Sequence, residues 1–508
     1  MNHVLEGLAA NPALPSRLVD RLIPVAEEWV ALALGERTDL APAQVLALAA
    51  RDEDAATRLA RTGLLAAGDI DPVARPEAAL ALLDERGGPP EWARLFAADP
   101  DPYTRQRLAA CPGLPPEVVE TLAADRAVSV VAELALEAPP ELAGRLARHP
   151  HAEVRRAVAA NETAPPAVLA ALVTGAGLPP ATSCLVCGAE STPSEREQYQ
   201  PYGPGHGDGC DGVHALTLVA TLYAAAGNPA TPPEVLAGFA GHPSSGVRWA
   251  LAERVDLPPE VYTRLAGDPV PGVRAALARN PAIGEALVRA MAADQDSDVR
   301  RALAHHPRVP LDVLAELAER TRIGAIPLPR IAAASPGELA ELVASAPATV
   351  RALVGERHDL PPGIRDALAA DPDTKVAKAV APHPGLSEAR LRGMVARHGV
   401  AVHARVAANP DAPPALLARL ARHEPPVRGA LRAIAGHPRA TAEALLPCLD
   451  DERAARHAAA HPALPPQTLV ALLTHLDPRG AEAAAAHPAL PPEAMEELLT
   501  QQLAALSP

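Results

Sequence analysis

Aromatic residues are scarce: 3 Trp, 5 Tyr and 2 Phe in 508 residues. That excludes a core built on large rings, so burial must come from alanine, leucine and valine at close approach. Lysine occurs only at Lys375 and Lys378, so arginine carries nearly all the positive charge. The five cysteines are odd in number and scattered, which does not make a disulfide framework. Positive charge is in deficit, with 46 Lys and Arg against 61 Asp and Glu and a net charge of −15. A general binder of nucleic acid or of an anionic membrane would need the opposite field. The opening MNHVLEGLAANP has no basic stretch followed by an apolar run, so no secretory signal is expected. The longest uncharged helical stretch, 215–227, is too short to span a bilayer. The expected protein is cytoplasmic, with no membrane partner.

What is abundant is proline, 58 residues or about one in nine, within a chain that is 48% hydrophobic. Such density breaks long helices and central strands alike. Short helices are the expected element.

Self-comparison shows a recurring phrase close to V-R-x-A-L-A-x-N-P-x-L-P-P-E-V-L-x-x-L-A-x-D-P. It is seen at ACPGLPPEVVETLAAD, GNPATPPEVLAGFAG, RVDLPPEVYTRLAGD and RHDLPPGIRDALAAD, and returns at Pro413–Pro414, Pro465–Pro466 and Pro491–Pro492. Anchor positions stand 26 residues apart at Pro233, Pro259, Glu285 and Leu311, and again at Pro466 and Pro492. With degenerate copies over the first hundred positions, roughly 17 or 18 units fit. Each unit divides into two helices. The first carries an apolar stripe at i, i+3 and i+4, as in Val247/Ala250/Leu251, Val273/Ala276/Leu277 and Val299/Ala302/Leu303. The second opens on Pro-Pro, tolerated in a first turn whose N–H groups have no partner. A glutamate often follows (Glu117, Glu234, Glu260, Glu493) where the helix dipole favours an anion. Val235, Leu236 and Phe239 are expected to supply the other side of the core, and Asp-Pro pairs (Asp99-Pro100, Asp268-Pro269, Asp371-Pro372) stop the helix.

No such unit buries both helices alone, but stacked neighbours do, which makes an all-α solenoid of about 26-residue repeats. The A-x-N-P-x-L-P-P-E-x-L phrase resembles that of the leucine-rich repeat variant (LRV) family of bacterial helical-repeat proteins, over nearly everything outside 176–213. The resemblance implies a right-handed superhelix in which an α-helix alternates with a shorter 3₁₀ helix. HEAT-like repeats are the nearest neighbouring architecture. Residues 1–175 and 214–508 are then two helical-repeat arrays around a Cys/Gly-rich insert, 176–213.

The position before the first proline is Asn11, Cys111, Asn228, Asn280, His306, His383, Asn409, His437, His461 or His487. A side chain that hydrogen-bonds local backbone suits a helix end, so these histidines read as caps rather than as ligands or bases. Cys111 reads as a small filler of the same slot, and Cys448 as structural.

The period breaks once. Pro166 and Pro233 stand 67 residues apart, and the excess holds Cys184, Cys187 and Cys210. Cys184-x-x-Cys187-Gly looks like a zinc knuckle, with Cys210 and His214 completing a tetrahedral, structural Zn²⁺ site. His206 and Asp208 compete for the fourth place. A metal would replace the apolar core that a glycine-rich loop lacks. The resemblance also brings in an iron–sulfur cluster, but its cysteines precede the repeats as a group of four, whereas here three lie within the array. The GPGHGDG stretch lacks the lysine and Ser/Thr of a phosphate-binding loop.

No nucleophile elbow, zinc-protease helix or paired-carboxylate motif stands out. The expected role is a non-catalytic protein-interaction scaffold. Arg155, Arg248, Arg274, Arg300, Arg351 and Arg428 are read as a stripe that pairs with an acidic segment of a protein partner. The alternatives are a metal- or redox-linked regulator and a nucleic-acid binder using the same stripe, for which stacking rings are few.

Overall fold

The computed structural model describes residues 3–184, 214–324, 326–344, 347–474 and 478–506. It is all-helical: among the described residues there is no strand, only one isolated parallel bridge between His151 and Ser183. Residues divide into two compact units, 88–323 and a second made of 1–87 with 324–508. The division does not follow the insert. The repeats on either side of the insert stack directly, because Ala152–Ala160 packs on Ala215–Gly227. Insert 176–213 therefore falls between two repeats that stack directly on each other.

In the 88–323 unit the repeat is regular. First helices Ser245–Glu253, Pro271–Arg279 and Ser297–Ala304 pack on one another in sequence. Val247, Leu251, Val273, Leu277, Val299 and Leu303 are all buried, with Ala250, Ala276 and Ala302 between them. The alanines set the spacing, since a larger side chain there would hold neighbouring helices apart. Second helices such as Pro259–Ala266 begin on proline after a proline N-cap in extended conformation, with Glu260 in the first turn. Most second helices are α. A 3₁₀ turn takes part only in some repeats, as at Ala237–Gly241. Of Val235, Leu236 and Phe239, only Leu236 is fully buried.

In the other unit the same stacking joins the two ends of the sequence. Helix His3–Ala10 packs on Pro478–Ala485 as it packs on Glu28–Gly35. Leu8, Ala9, Ala484 and Ala485 are fully buried. The approach is close: a Cβ added at Gly7 would lie 2.1 Å from the Glu482 carbonyl oxygen and 3.1 Å from the Ala485 Cβ. The first and last repeats thus cover each other's apolar faces, where an open array would need polar end repeats.

Candidate functional site: two ladders between repeats and a break in one

The slot before the first proline is more than a local cap. Asn280 accepts from the Ala282 N–H at 2.8 Å. Its amide donates to the carbonyls of Ala252, at 2.7 Å, and of Arg254, both in the preceding repeat. Asn228 reaches Ala159 and Asn161 in the same way, and Asn409 reaches Ala381 and His383. Histidines substitute with a fixed tautomer. In His306 and His437 the Nδ1 accepts from the N–H two residues on, leaving Nε2 to donate to Asn280 and Asn409 at 3.0 and 2.8 Å. Asn11 joins the ladder too, donating to Ala485 and His487 at 2.8 Å each. Where it holds one of these asparagines or histidines, the slot therefore ties a repeat to the one before it, and Asn11 ties the start of the sequence to its end. Cys111 fills the slot with its thiol 3.5 Å from the Arg107 carbonyl. Cys448 is fully buried, and burial pushes its thiol up to about 12.

His383 is the exception among the slot histidines. It is buried, and the nearby Gly355 backbone is not at hydrogen-bonding geometry to either ring nitrogen. Burial, with the His358 ring 5.1 Å away, pushes it down to about 4. Between pH 6.5 and 4 the unfolded chain takes up a proton that the folded chain refuses. Its contribution is therefore complete above about pH 6.5 and is lost as the pH falls. His383→Asn should remove about 2 kcal/mol of the stability difference between pH 7 and pH 5. Urea midpoints at the two pH values measure it, and an unchanged difference would contradict the assignment.

The arginines form a second ladder. Arg248 makes a bidentate pair with Asp268, at 2.6 and 3.0 Å, and donates to the His242 carbonyl at 2.7 Å. Arg274 does the same with Asp294, at 2.7 and 3.0 Å, and with the Asp268 carbonyl. Arg105 pairs with Asp125 in this unit, and Arg351 with Asp371 in the other. Each aspartate lies 20 residues after its arginine and accepts the N–H two residues further on, as Asp268 does from Val270. Each arginine is thus held between two successive loops. These paired arginines are all raised above the ordinary arginine range, chiefly by hydrogen bonding to the carboxylate. Arg300 substitutes the Thr321 hydroxyl at 2.8 Å for the carboxylate and keeps the Asp294 carbonyl.

Besides Arg300, two of the six predicted stripe residues differ. Arg428 is exposed and stands nine residues before its slot residue His437, not six, so it is out of register. Arg105, which the stripe omitted, holds the register position before Cys111. Arg155 is in register but has no carboxylate. Its Nε donates to the His149 carbonyl at 2.6 Å and one terminal nitrogen to Pro179 at 2.7 Å. The other terminal nitrogen is buried and has no partner among the described residues. Twenty residues on stands Gly175, with φ 73°, and a Cβ there would meet nothing within 4 Å. Burial, and then the nearby Arg148, hold Arg155 below the ordinary arginine range.

This break adjoins the insert. Residues 182–183 run beside 150–152, with Ala152 donating to Ser183 and Thr182 to Pro150, both at 2.9 Å. Of the predicted zinc set, Cys184, within the insert, and His214, just after it, are both buried, and His214 has a left-handed φ of 58°. Cys187, Cys210, His206 and Asp208 lie outside the described residues. Among the described residues, the cluster of three side chains able to share one metal ion is His3, Glu6 and Glu482. No helix among them is long and apolar enough to cross a membrane.

No protein-family model matches the chain. No curated protein matches it either. Among the solved structures similar to it in part are the following two. One is described as a leucine-rich repeat variant with a novel repetitive protein structural motif. It is 23% identical, with a TM-score of 0.27, and the match covers 45% of this chain and 78% of that one. The other is the Pds5-Scc1 complex, described with its implications for cohesin function. It is 11% identical, with a TM-score of 0.16, over 92% of this chain and 66% of that one. At these scores neither likeness bears on function; the chain is a helical-repeat protein on its own geometry.

Proposed function

We propose that the chain is a non-catalytic protein-interaction scaffold that takes up a carboxylate-bearing segment of a partner at Arg155. The observation behind this reading is the ladder's internal comparison. Four arginines at this register grip an aspartate through Nε and one terminal nitrogen, whereas Arg155 has a buried N–H group without an acceptor among the described residues, and Gly175 stands at the position of the aspartate. A partner's Asp or Glu would replace the Pro179 carbonyl with a charged acceptor, and charge-assisted bidentate bonds are the stronger kind. The same ladder disfavours a nucleic-acid role, since its other paired arginines are already matched by carboxylates.

The predicted zinc set Cys184, Cys187, Cys210 and His214 belongs to this proposal as a staple holding the insert beside Arg155. Elemental analysis of the chain and of Cys184→Ser tests that part, and unchanged zinc content would remove it. For the binding itself, a panel of acidic and neutralised peptides is titrated against the full chain. Arg155→Gln should weaken the best acidic binder by about tenfold or more. Exposed Arg428→Gln serves as the control. Equal binding by Arg155→Gln and the unaltered chain, or no preference for acidic over neutral peptides, would overturn the reading.

A further inference from the structure

The joint between the ends of the sequence holds side chains that the scaffold reading does not use. His3 and Glu6 lie on one face of the first helix, an i, i+3 pair, with His3 Nδ1 3.7 Å from a Glu6 carboxylate oxygen. Glu482 approaches from the helix Pro478–Ala485, 3.8 Å from the same nitrogen. Gly7 makes this possible, because the absence of a Cβ lets the Glu482 backbone come against the first helix. The three ligand atoms all lie within 4.8 Å of one another, and all three residues are half-buried. Glu6 and Glu482 line a cavity of about 390 Å³ whose wall also includes Arg456 and His457.

We propose that His3, Glu6 and Glu482 form a binding site for a divalent transition-metal ion that ties the first helix to the last repeat. One imidazole and two carboxylates suit Zn²⁺, Co²⁺ or Ni²⁺. They are too few oxygens for Ca²⁺, and the imidazole is foreign to Mg²⁺. Bonds of about 2.0–2.2 Å place tetrahedral ligands roughly 3.3 Å apart. The half-buried side chains would draw together on binding to reach that spacing. Two carboxylates balance the ion's charge. Among the described residues Arg456 stands beside them, with a nitrogen 3.7 Å from the other oxygen of Glu482. The cavity leaves room for water as the fourth ligand, so the ion acts as a cross-link. Its ligands come from positions 479 residues apart in sequence, from His3 to Glu482, so binding favours the joined ends over the separated ones.

The test must separate this site from thiolate ligands in the insert. Zinc binding is measured by equilibrium dialysis on the full chain carrying Cys184→Ser, Cys187→Ser and Cys210→Ser. About one equivalent of zinc is expected to remain. Adding His3→Ala or Glu482→Gln should weaken it at least about tenfold, while Glu424→Gln, on an exposed surface, should not. Zinc should also slow proteolysis of the first helix in the background variant but not after His3→Ala. If the triple variant does not fold, Co²⁺ is titrated into the chain with its cysteines intact. The predicted site then adds weak visible bands without thiolate charge transfer, and His3→Ala removes them. No zinc in the background variant, binding indifferent to His3→Ala, or cobalt bands that are wholly thiolate in character would overturn the proposal.

Discussion

Asp268→Ala should lower the stability of the repeats around it by about 3 kcal/mol. Asp268 and Arg248 are both nearly inaccessible, with side chains 3% and 10% exposed. Removing the carboxylate leaves a guanidinium between two loops with only the His242 and Pro243 carbonyls as acceptors. It also removes the acceptor of the Val270 N–H, which alone is worth about 1 kcal/mol. Arg248→Met combined with Asp268→Ala should recover much of the loss, because the cost lies mainly in the stranded charge. Urea denaturation, with hydrogen exchange used to assign the transition to residues 245–304, measures both. A loss under about 0.5 kcal/mol would mean that the pair is a surface contact. The same ladder predicts acid sensitivity in a lower window than that of His383. Hydrogen bonding to Arg105 and Arg274 is the main cause holding Asp125 and Asp294 below the ordinary carboxylate range. Their contribution is therefore complete above about pH 4 and is lost below it, as the carboxylates take up protons.

Gly7→Ala gives the other large effect, and its sign is diagnostic. In an exposed helix, alanine for glycine is worth up to about 1 kcal/mol of added stability. Here the new methyl would lie 2.1 Å from a backbone oxygen of Glu482, and no rotamer moves a Cβ. The two helices must separate, loosening the Asn11 bonds to Ala485 and His487 and uncovering Leu8. A loss of about 2–3 kcal/mol is expected in the unit holding both ends of the sequence. A gain would show that the ends are apart.

The period, the proline-opened second helices and the alanine-lined stripes are all local, so they could be read before any coordinates. What escaped was whatever crosses a repeat boundary. Asp268 and Asp371 were visible only as helix stops beside proline. Their pairing with arginines 20 residues earlier joins one repeat's first helix to the loop that follows its second, and no helix periodicity contains that offset. The slot residues were legible as caps because one of their bonds, to the N–H two residues on, is local; the reach to the preceding repeat is not. Arg428 shared the residue type but not the register, which counting back from His437 would have exposed. Gly175 was the quiet signal: a glycine where neighbouring repeats carry aspartate marks the break at Arg155. Asn11 sat in the slot series from the start, yet a repeat pattern predicts contact only with units adjacent in sequence. That it bonds to His487 depends on how the unit closes in space. The same distance hid His3, Glu6 and Glu482 from one another.

The central claim is that stacking of small helical pairs holds the chain together, even where its two ends meet. Hydrogen exchange of helix His3–Ala10 tests this most directly. The amides of Leu8 and Ala9 should be protected about as strongly as those of Leu251 and Leu277 in mid-array repeats, and Asn11→Ala should sharply reduce protection in both His3–Ala10 and Pro478–Ala485. Exchange of the first helix at the rate of a fraying end, indifferent to Asn11→Ala, would contradict it.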